Sequence, residues 1–385
     1  MVSYRPSALA TKWHIRLSIL NYVTPKQSVP AITSGCDTIP KVYPKLFRYL
    51  LVLALIGLAP VLQGAKSLEF FFIDVEGGQS TLIVSPSGQT LLIDTGWRGF
   101  DGRDADRIAQ AAKAARVKRL DYVLITHYHR DHVGGAPQLA DRFKIGTFID
   151  HGPNTEDSKV VKEDYADYVK LLQRPDIQHL VVKPGDRIPI KDITVQVLTA
   201  AGEHIQKPLP GAGQPNPFCA SSPKREADAT ENARSLGTLI TFGDFRLLDL
   251  GDLTWNKELE LMCPNNMIGT VDVYLTSHHG LDQSNSPALV DAIHPRVTIM
   301  NNGARKGGTP AAWQIIKNAP QLEDFWQIHY AMDGGKDHNV PDPFIANVDE
   351  HDQGDYIKLT AQADGSFTVY NSRNKFQKIY KAHSR

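Results

Sequence analysis

The chain carries one pattern twice, and that repeat limits the folds open to it. Residues 81–96 (TLIVSPSGQTLLIDTG) read as two β-strands around a Pro/Gly turn, and residues 238–252 (TLITFGDFRLLDLGD) follow the same plan in shorter form. After each hairpin comes an apolar strand that runs into histidine. One is Asp121-Tyr-Val-Leu-Ile-Thr-His127 and the other is Asp272-Val-Tyr-Leu-Thr-Ser-His278. The histidine follows the aspartate by six positions in both, and the Gly96-to-His127 and Gly251-to-His278 intervals are 31 and 27 residues. Two hairpin–helix–strand halves of this kind predict two sheets packed face to face, with corresponding strand ends meeting at one edge.

Other segments fit around that frame as an α/β (α+β) body. Asp104–Ala115 is an alanine-rich helix with Asp104 as its N-cap, and a further helix starts over Ala136–Phe143. Asn154–Leu172 places Val160, Val161, Tyr165, Val169 and Leu172 at helical spacing. Lys207–Thr230, rich in Pro, Ala, Gly and Ser, is a long loop of the sort that borders sites. Pro310–Lys317 is helical and Ile357–Tyr370 forms a closing β-hairpin. His329 and Asp337-His338-Asn339 are assigned to loops, outside any site. The body, residues 66–385, is expected to be a single domain.

Of the 385 residues, 42% are hydrophobic and 22% charged, which excludes disordered, collagen-like and multi-span membrane classes. The formal net charge is zero but uneven, because residues 1–65 hold seven of the 42 Lys/Arg and one of the 42 Asp/Glu. The body is therefore mildly acidic, and strong nucleic-acid binding is not expected. Within the leader, Tyr49–Leu62 is an apolar run flanked by Lys45 and Arg48 before it and by Gln63-Gly64-Ala65 after it. It is short of the roughly 20 residues of a spanning helix. Its plan is that of a signal peptide cleaved near Ala65, with synthesis starting near Leu46. A periplasmic or secreted bacterial protein with no transmembrane anchor in the mature chain follows. In an oxidising compartment Cys219 and Cys263 can pair; free, inert thiols are the alternative.

The chemistry concentrates in His127-Tyr128-His129-Arg130-Asp131-His132, four potential ligands within six residues directly after a hydrophobic strand. On an extended loop, positions i and i+2 share a side, so His127 and His129 can grip one ion. A turn at Asp131 lets Asp131 and His132 address a second position. Asp252 and His278 occupy the equivalent strand ends of the second half and complete the ligand set. Imidazole and carboxylate donors without thiolate suit zinc, with manganese or iron feasible. His278 is preferred to His279 from strand register and the repeated spacing, leaving His279 to contact substrate or pack. His151 and His204 are weaker ligand candidates.

His127-x-His129-x-Asp131-His132, together with Leu92-Ile93-Asp94-Thr95-Gly96 and Gly251-Asp252, resembles the metallo-β-lactamase superfamily. Phe72-Ile-Asp74-Val-Glu-Gly-Gly-Gln-Ser80 and Ser277-His278-His279-Gly280 are similar to its ComEC-like branch of competence-protein hydrolase domains. The resemblance, over roughly residues 68–305, implies a four-layer αββα sandwich with its metal centre at one edge of the paired sheets. It implies His127 and His129 on one metal, Asp131, His132 and His278 on the other, Asp252 between them, and Asp94 bracing the metal loop. Three departures accompany it. Asn232 stands where most superfamily hydrolases have a third histidine for the first metal, which leaves one versus two metals open. Thr309 precedes Pro310 where the branch has histidine, and the leading motif reads Asp-Val-Glu-Gly-Gly-Gln.

The expected protein is thus an exported hydrolase holding one or two zinc ions, with Asp131 or Asp252 orienting the attacking water or taking its proton. Small-molecule or surface-attached esters are the expected substrates, phosphodiesters and phosphoryl esters ahead of lactones, carboxyl esters and β-lactams. Trp97, Arg98, Tyr128 and Arg130 flank the metal loops as substrate contacts or as packing and solvated charge. The alternatives are a mononuclear iron oxidoreductase of the persulfide dioxygenase type and a metal-stabilised binding module. Sequence leaves the oligomeric state open.

Overall fold

A computed structural model describes residues 66–350 and 353–383 of the chain. The proposed leader and its cleavage point lie outside the described residues. The first sheet holds β1 (Leu68–Phe72), β2 (Thr81–Val84), β3 (Thr90–Ile93), β4 (Arg119–Leu124), β5 (Lys144–Asp150) and β6 (Gln178–Val181). The second holds β7 (Arg187–Ile188), β8 (Thr194–Ala200), β9 (Glu203–His204), β10 (Gly237–Phe242), β11 (Phe245–Asp249), β12 (Val273–Leu275), β13 (Val297–Met300), β14 (Asp324–His329) and β15 (Ile345–Asn347). Three late strands, β16 (Ile357–Ala361), β17 (Phe367–Asn371) and β18 (Gln377–Tyr380), return to the first sheet. Its order is β18-β17-β16-β1-β2-β3-β4-β5-β6, and the second runs β15-β14-β13-β12-β11-β10-β8-β7, with β9 on β8.

The sequence repeat is a repeat of topology. β2 and β3 pair antiparallel, then β4 adds parallel to β3. β10 and β11 pair antiparallel, then β12 adds parallel to β11. The carboxyl ends of β3 and β4, and of β11 and β12, therefore open in matching directions within their sheets.

Alternation along the strands explains the layering. Leu68, Phe70 and Phe72 of β1 join Val195, Val197, Ile240, Leu247 and Val273 in one core between the sheets. Phe71, Leu82, Leu92 and Val123 point the other way, into a second core with Ile108, Ala111, Val161 and Tyr168 from helices α1 (Arg103–Ala114) and α4 (Lys159–Leu172); the short helices α2 (Arg130–Val133) and α3 (Ala136–Ala140) lie between those two in sequence. Leu239, Leu248 and Tyr274 pack outward against α5 (Trp255–Met262), α6 (Pro287–Val290) and α7 (Pro310–Lys317). Both faces of each sheet are thus covered, which is why their strands read as nearly unbroken apolar runs. Each fully buried Leu, Ile or Phe contributes about 1.5–3 kcal/mol of hydrophobic stabilisation. The result is the expected αββα sandwich.

Several boundaries differ from the sequence expectation. α1 starts at Arg103 after Gly102 in a left-handed conformation, and Asp104 is not its cap. The Asp104 carboxylate instead accepts the Trp97 backbone N–H at 2.7 Å and a bond from Arg103. α4 begins at Lys159 rather than Asn154, and a third strand, β18, extends the C-terminal hairpin. His329 is the buried last residue of β14, not a loop residue. Cys219 and Cys263, left open by sequence, form a disulfide with Cα atoms 5.9 Å apart. No helix among the described residues is long and apolar enough to cross a membrane.

Candidate metal centre

The histidine motif leaves the end of β4 and is held by one buried carboxylate. Asp94, at the end of β3 with φ +60°, accepts the Thr126 backbone N–H at 2.8 Å and the Thr126 hydroxyl at 2.7 Å. Its Oδ2 also accepts His132 Nδ1–H at 2.7 Å. That bond fixes the ring so that Nε2 faces the site, the usual way a carboxylate orients a ligand histidine. The α2 turn then follows, with the His132 and Val133 amides both bonded to the His129 carbonyl, and it swings Asp131 and His132 to the same side.

Four donor atoms converge there. Asp131 Oδ2 lies 3.2 Å from His132 Nε2 and 3.2 Å from His279 Nε2. Asp252 Oδ2 lies 3.2 Å from His132 Nε2 and 3.3 Å from His279 Nε2. The two imidazole nitrogens are 3.2 Å apart. All four residues are buried. Edges of this length surround a point about 2 Å from each donor, the distance zinc takes from imidazole and carboxylate ligands. The donor set and its spacing therefore fit a divalent cation.

His279 rather than His278 completes this group, contrary to the strand-register expectation. β12 ends at Leu275, and both histidines have positive φ, +53° and +55°, within a tight turn. Strand alternation does not extend through such a turn. His278 lies beside the same carboxylate, its Nε2 3.6 Å from Asp252 Oδ2, and against Asn232, whose Nδ2 is 3.5 Å away. His127 Nε2 is 3.9 Å from Asp252 Oδ2 and has no hydrogen-bond partner. His129 is turned outward, its Nε2 3.0 Å from Glu156 Oε2, and Glu156 also accepts the Glu231 backbone N–H. His127 and His278 thus both lie against Asp252 outside the four-donor group, with Asn232 beside His278 and His129 engaged by Glu156.

Charge in the site follows from this crowding. Burial works against ionising Asp131, but Lys306 and His132 hold it well below the usual carboxylate range. Asp252 is likewise held low against burial, by His132, His279 and His278. Burial, with His132 and His129 adding to it, drives His127 well below its ordinary value. Burial also lowers His278, to about 4. His132 moves the other way: burial opposes its charge, but Asp252, Asp131 and Asp94 raise it well above the ordinary value.

The remaining candidates divide clearly. Tyr128 is fully buried, donates its hydroxyl to the Gly152 carbonyl and packs against the rings of His151, Tyr165 and Tyr168, so it does not face the ligand group. Arg98 and Arg130 are both paired with Asp164. His151 bonds to Glu231 at 3.0 Å, and His204 sits on β9 beside the disulfide. Trp97 is half-buried at the site's margin, with the Lys306 ammonium 4.9 Å from its ring centre. Sequence reasoning passed over Glu156 and Lys306; neither sits in the metal motif, and a Gly-rich turn around Lys306 was the only local signal. The long 207–230 loop does border a cavity, of about 1070 Å³, on the outer face of β8 and β10, and none of the ligand-group residues lines it.

A sandwich of two sheets with histidine and aspartate donors at matched strand ends defines a metallo-β-lactamase-type fold. Residues 73–217 match the family described as the metallo-beta-lactamase superfamily, and the chain carries a domain of that superfamily. It is 24% identical over 270 residues to ComE operon protein 3 of Bacillus subtilis, spanning 66% of this chain and 30% of that protein, a likeness that supports the ComEC-like branch. It is 23% identical over 262 residues to a UPF0173 protein of Pyrococcus abyssi, spanning 64% of this chain and 96% of the relative. Among solved structures, the metallo-beta-lactamase fold protein YhfI from Bacillus subtilis superposes with a TM-score of 0.44 at 12% identity, over 68% of this chain and 96% of that one. Membership supports hydrolase-type chemistry that depends on a divalent metal.

Proposed function

We propose that this protein is an exported bacterial hydrolase that uses zinc to attack ester-type bonds, with phosphodiesters and phosphoryl esters its preferred substrates. The observation that carries the reading is the four-donor group of Asp131, His132, Asp252 and His279, with its 3.2–3.3 Å edges. These four residues would hold the zinc, and with a fifth coordination position open to water the ion would supply an acidified water near neutral pH and polarise a carbonyl or phosphoryl oxygen. Asp94 keeps the His132 ring in the tautomer that presents Nε2. Asp252 Oδ1 is buried without a hydrogen-bond partner, so it is free to accept a hydrogen bond that orients the attacking water. The Cys219–Cys263 disulfide supports the export part of the reading, since such bonds persist in oxidising compartments.

Metal content by mass spectrometry on protein purified without chelator tests the reading, followed by turnover of a phosphodiester, lactone and β-lactam panel. Zinc at one to two ions per chain with phosphodiester turnover is expected. One iron per chain with oxygen uptake overturns it in favour of an oxidoreductase. Zinc bound with no turnover of any ester leaves a binding module in its place.

A further inference from the structure

The ligand group has a cationic neighbour that the metal reading leaves unused. Lys306 reaches Asp131 Oδ2, the same oxygen that His132 and His279 approach, and its side chain is 31% exposed at the mouth of the site. Its turn is fastened to the histidine turn: Gly303 N–H bonds the Lys306 carbonyl at 2.8 Å, Gly308 N–H bonds the His279 carbonyl at 2.9 Å, and Thr309 N–H bonds the Gly280 carbonyl at 3.0 Å. A side chain on Gly77 would meet Lys306 Cβ at 2.8 Å, so the backbone on the opposite side also holds the turn in place. The Trp97 ring supports the ammonium. Arg98 and Arg130, the other cations flanking the motif, are already paired, Arg130 with Asp164 and Arg98 with Asp164 and Asp167.

These contacts make the Lys306–Asp131 pair conditional. A cation accepted by Asp131 Oδ2 takes over the charge that Lys306 now balances, and two positive groups on one carboxylate oxygen repel each other. The ammonium then stays at the mouth, because its turn is fixed, and lacks the carboxylate that held it. Accordingly, and resting on the hydrolase reading above, we propose that Lys306 selects the substrate: on metal loading it passes from Asp131 to an anionic oxygen of the ester, a phosphoryl oxygen or a carboxylate next to the scissile bond. It is a binding residue for the substrate's charge, and esters without a negative group lose this contact.

The test uses the full chain loaded with zinc, as wild type, Lys306→Met and Lys306→Arg. Bis(4-nitrophenyl) phosphate is the anionic substrate and 4-nitrophenyl acetate the neutral one. Lys306→Met is expected to raise KM for the phosphodiester at least tenfold and to leave KM for the acetate within twofold, with Lys306→Arg restoring most of the loss. Zinc affinity, read with a chromophoric chelator, is expected to be unchanged or tighter in Lys306→Met. Equal changes in both KM values, no change in either, or a tenfold loss of zinc affinity overturns the proposal, the last because it makes Lys306 a brace of the metal loop. If wild type turns over neither ester, the hydrolase reading fails, and calorimetry with inorganic phosphate and with acetate ion decides the Lys306 assignment alone. Tenfold weaker binding of either anion in Lys306→Met supports it, the more affected one naming the group recognised; no weakening overturns it.

Discussion

His132 Nε2 and His279 Nε2 face each other at 3.2 Å although 147 positions separate them in the chain. Two ring nitrogens at that distance repel through their lone pairs unless a proton or a metal ion lies between them. His132 Nδ1 is already committed to Asp94, and two carboxylate oxygens flank the pair, so positive charge is what the arrangement calls for.

Zinc must therefore displace a proton. Burial opposes charge on His132, but Asp252, Asp131 and Asp94 together raise it well above its ordinary value, so the ring competes for a proton at neutral pH. Zinc needs the neutral ring, so affinity rises with pH, roughly tenfold per unit for each proton released. Chelator competition between pH 5.5 and 7.5 measures the slope; a flat profile counts against this account.

The two neighbouring histidines separate by their effects on zinc. His279→Ala removes one of four donors, and its loss is expected to exceed the roughly 10–100-fold typical of a supporting residue. His278→Ala, which lies beside Asp252 but outside the four-donor group, is expected to weaken zinc binding by less than tenfold. Zinc titrations of both variants check the order, and reversal would put His278 in the tight group.

The disulfide lies apart from the centre. Its half-cystines are 44 positions apart, so cross-linking that loop contributes about 3–4 kcal/mol on a chain-entropy estimate. The double variant Cys219→Ser, Cys263→Ser is expected to lose stability of that order in urea while keeping its zinc stoichiometry.

Glu258 gives the fold a pH dependence. Its oxygens accept the Asn285 and Ser286 backbone N–H groups at 2.7 Å each, yet full burial pushes it up to about 7. Between about 4.5 and 7 the folded state keeps a proton that the unfolded state has released. Stability from this group therefore falls as pH rises across that window, on the order of 3 kcal/mol. The difference between wild type and Glu258→Gln in urea midpoint against pH isolates it; parallel profiles argue against the shift.

A second buried charge group joins the sheets. His329 Nε2 is 2.6 Å from Asp74 Oδ1, and Arg107 bonds Asp74 and Glu76. Burial opposes ionising Asp74, but His329 and Arg107 hold it below the usual range. His329→Ala removes one of the two side chains that hold Asp74 while Arg107 stays in place, so it is expected to cost about 1–3 kcal/mol, the range for a lost buried hydrogen bond to a charged group. Zinc binding by the folded fraction should not change, which calorimetry below the unfolding transition checks.

The fold and most of the donors were legible because they depend on local signals: alternation, turn residues, and the spacing within His127–His132. The exchange of His278 for His279 was not, since it turns on two left-handed residues that strand alternation does not describe. Glu156, Lys306 and the Asp74–His329 pair were missed for a different reason. Each acts on a residue 27, 175 or 255 positions away, and no periodicity encodes such a meeting. Asp104 was misread as a cap because its carboxylate is taken by Trp97 and Arg103.

β1 lies between β2 and β16, paired to the latter from Leu68↔Ala361 to Phe72↔Ile357. A ribosome delivers β1 at the start of the body and its second neighbour only near the end. Until then one side of a strand made of Leu-Glu-Phe-Phe-Phe offers open amide and carbonyl groups to any passing chain. Synthesis order and sheet order are thus opposed here, and the first sheet cannot be sealed while the chain is still emerging. The last strands to be made are the ones that close the edge opened by the first.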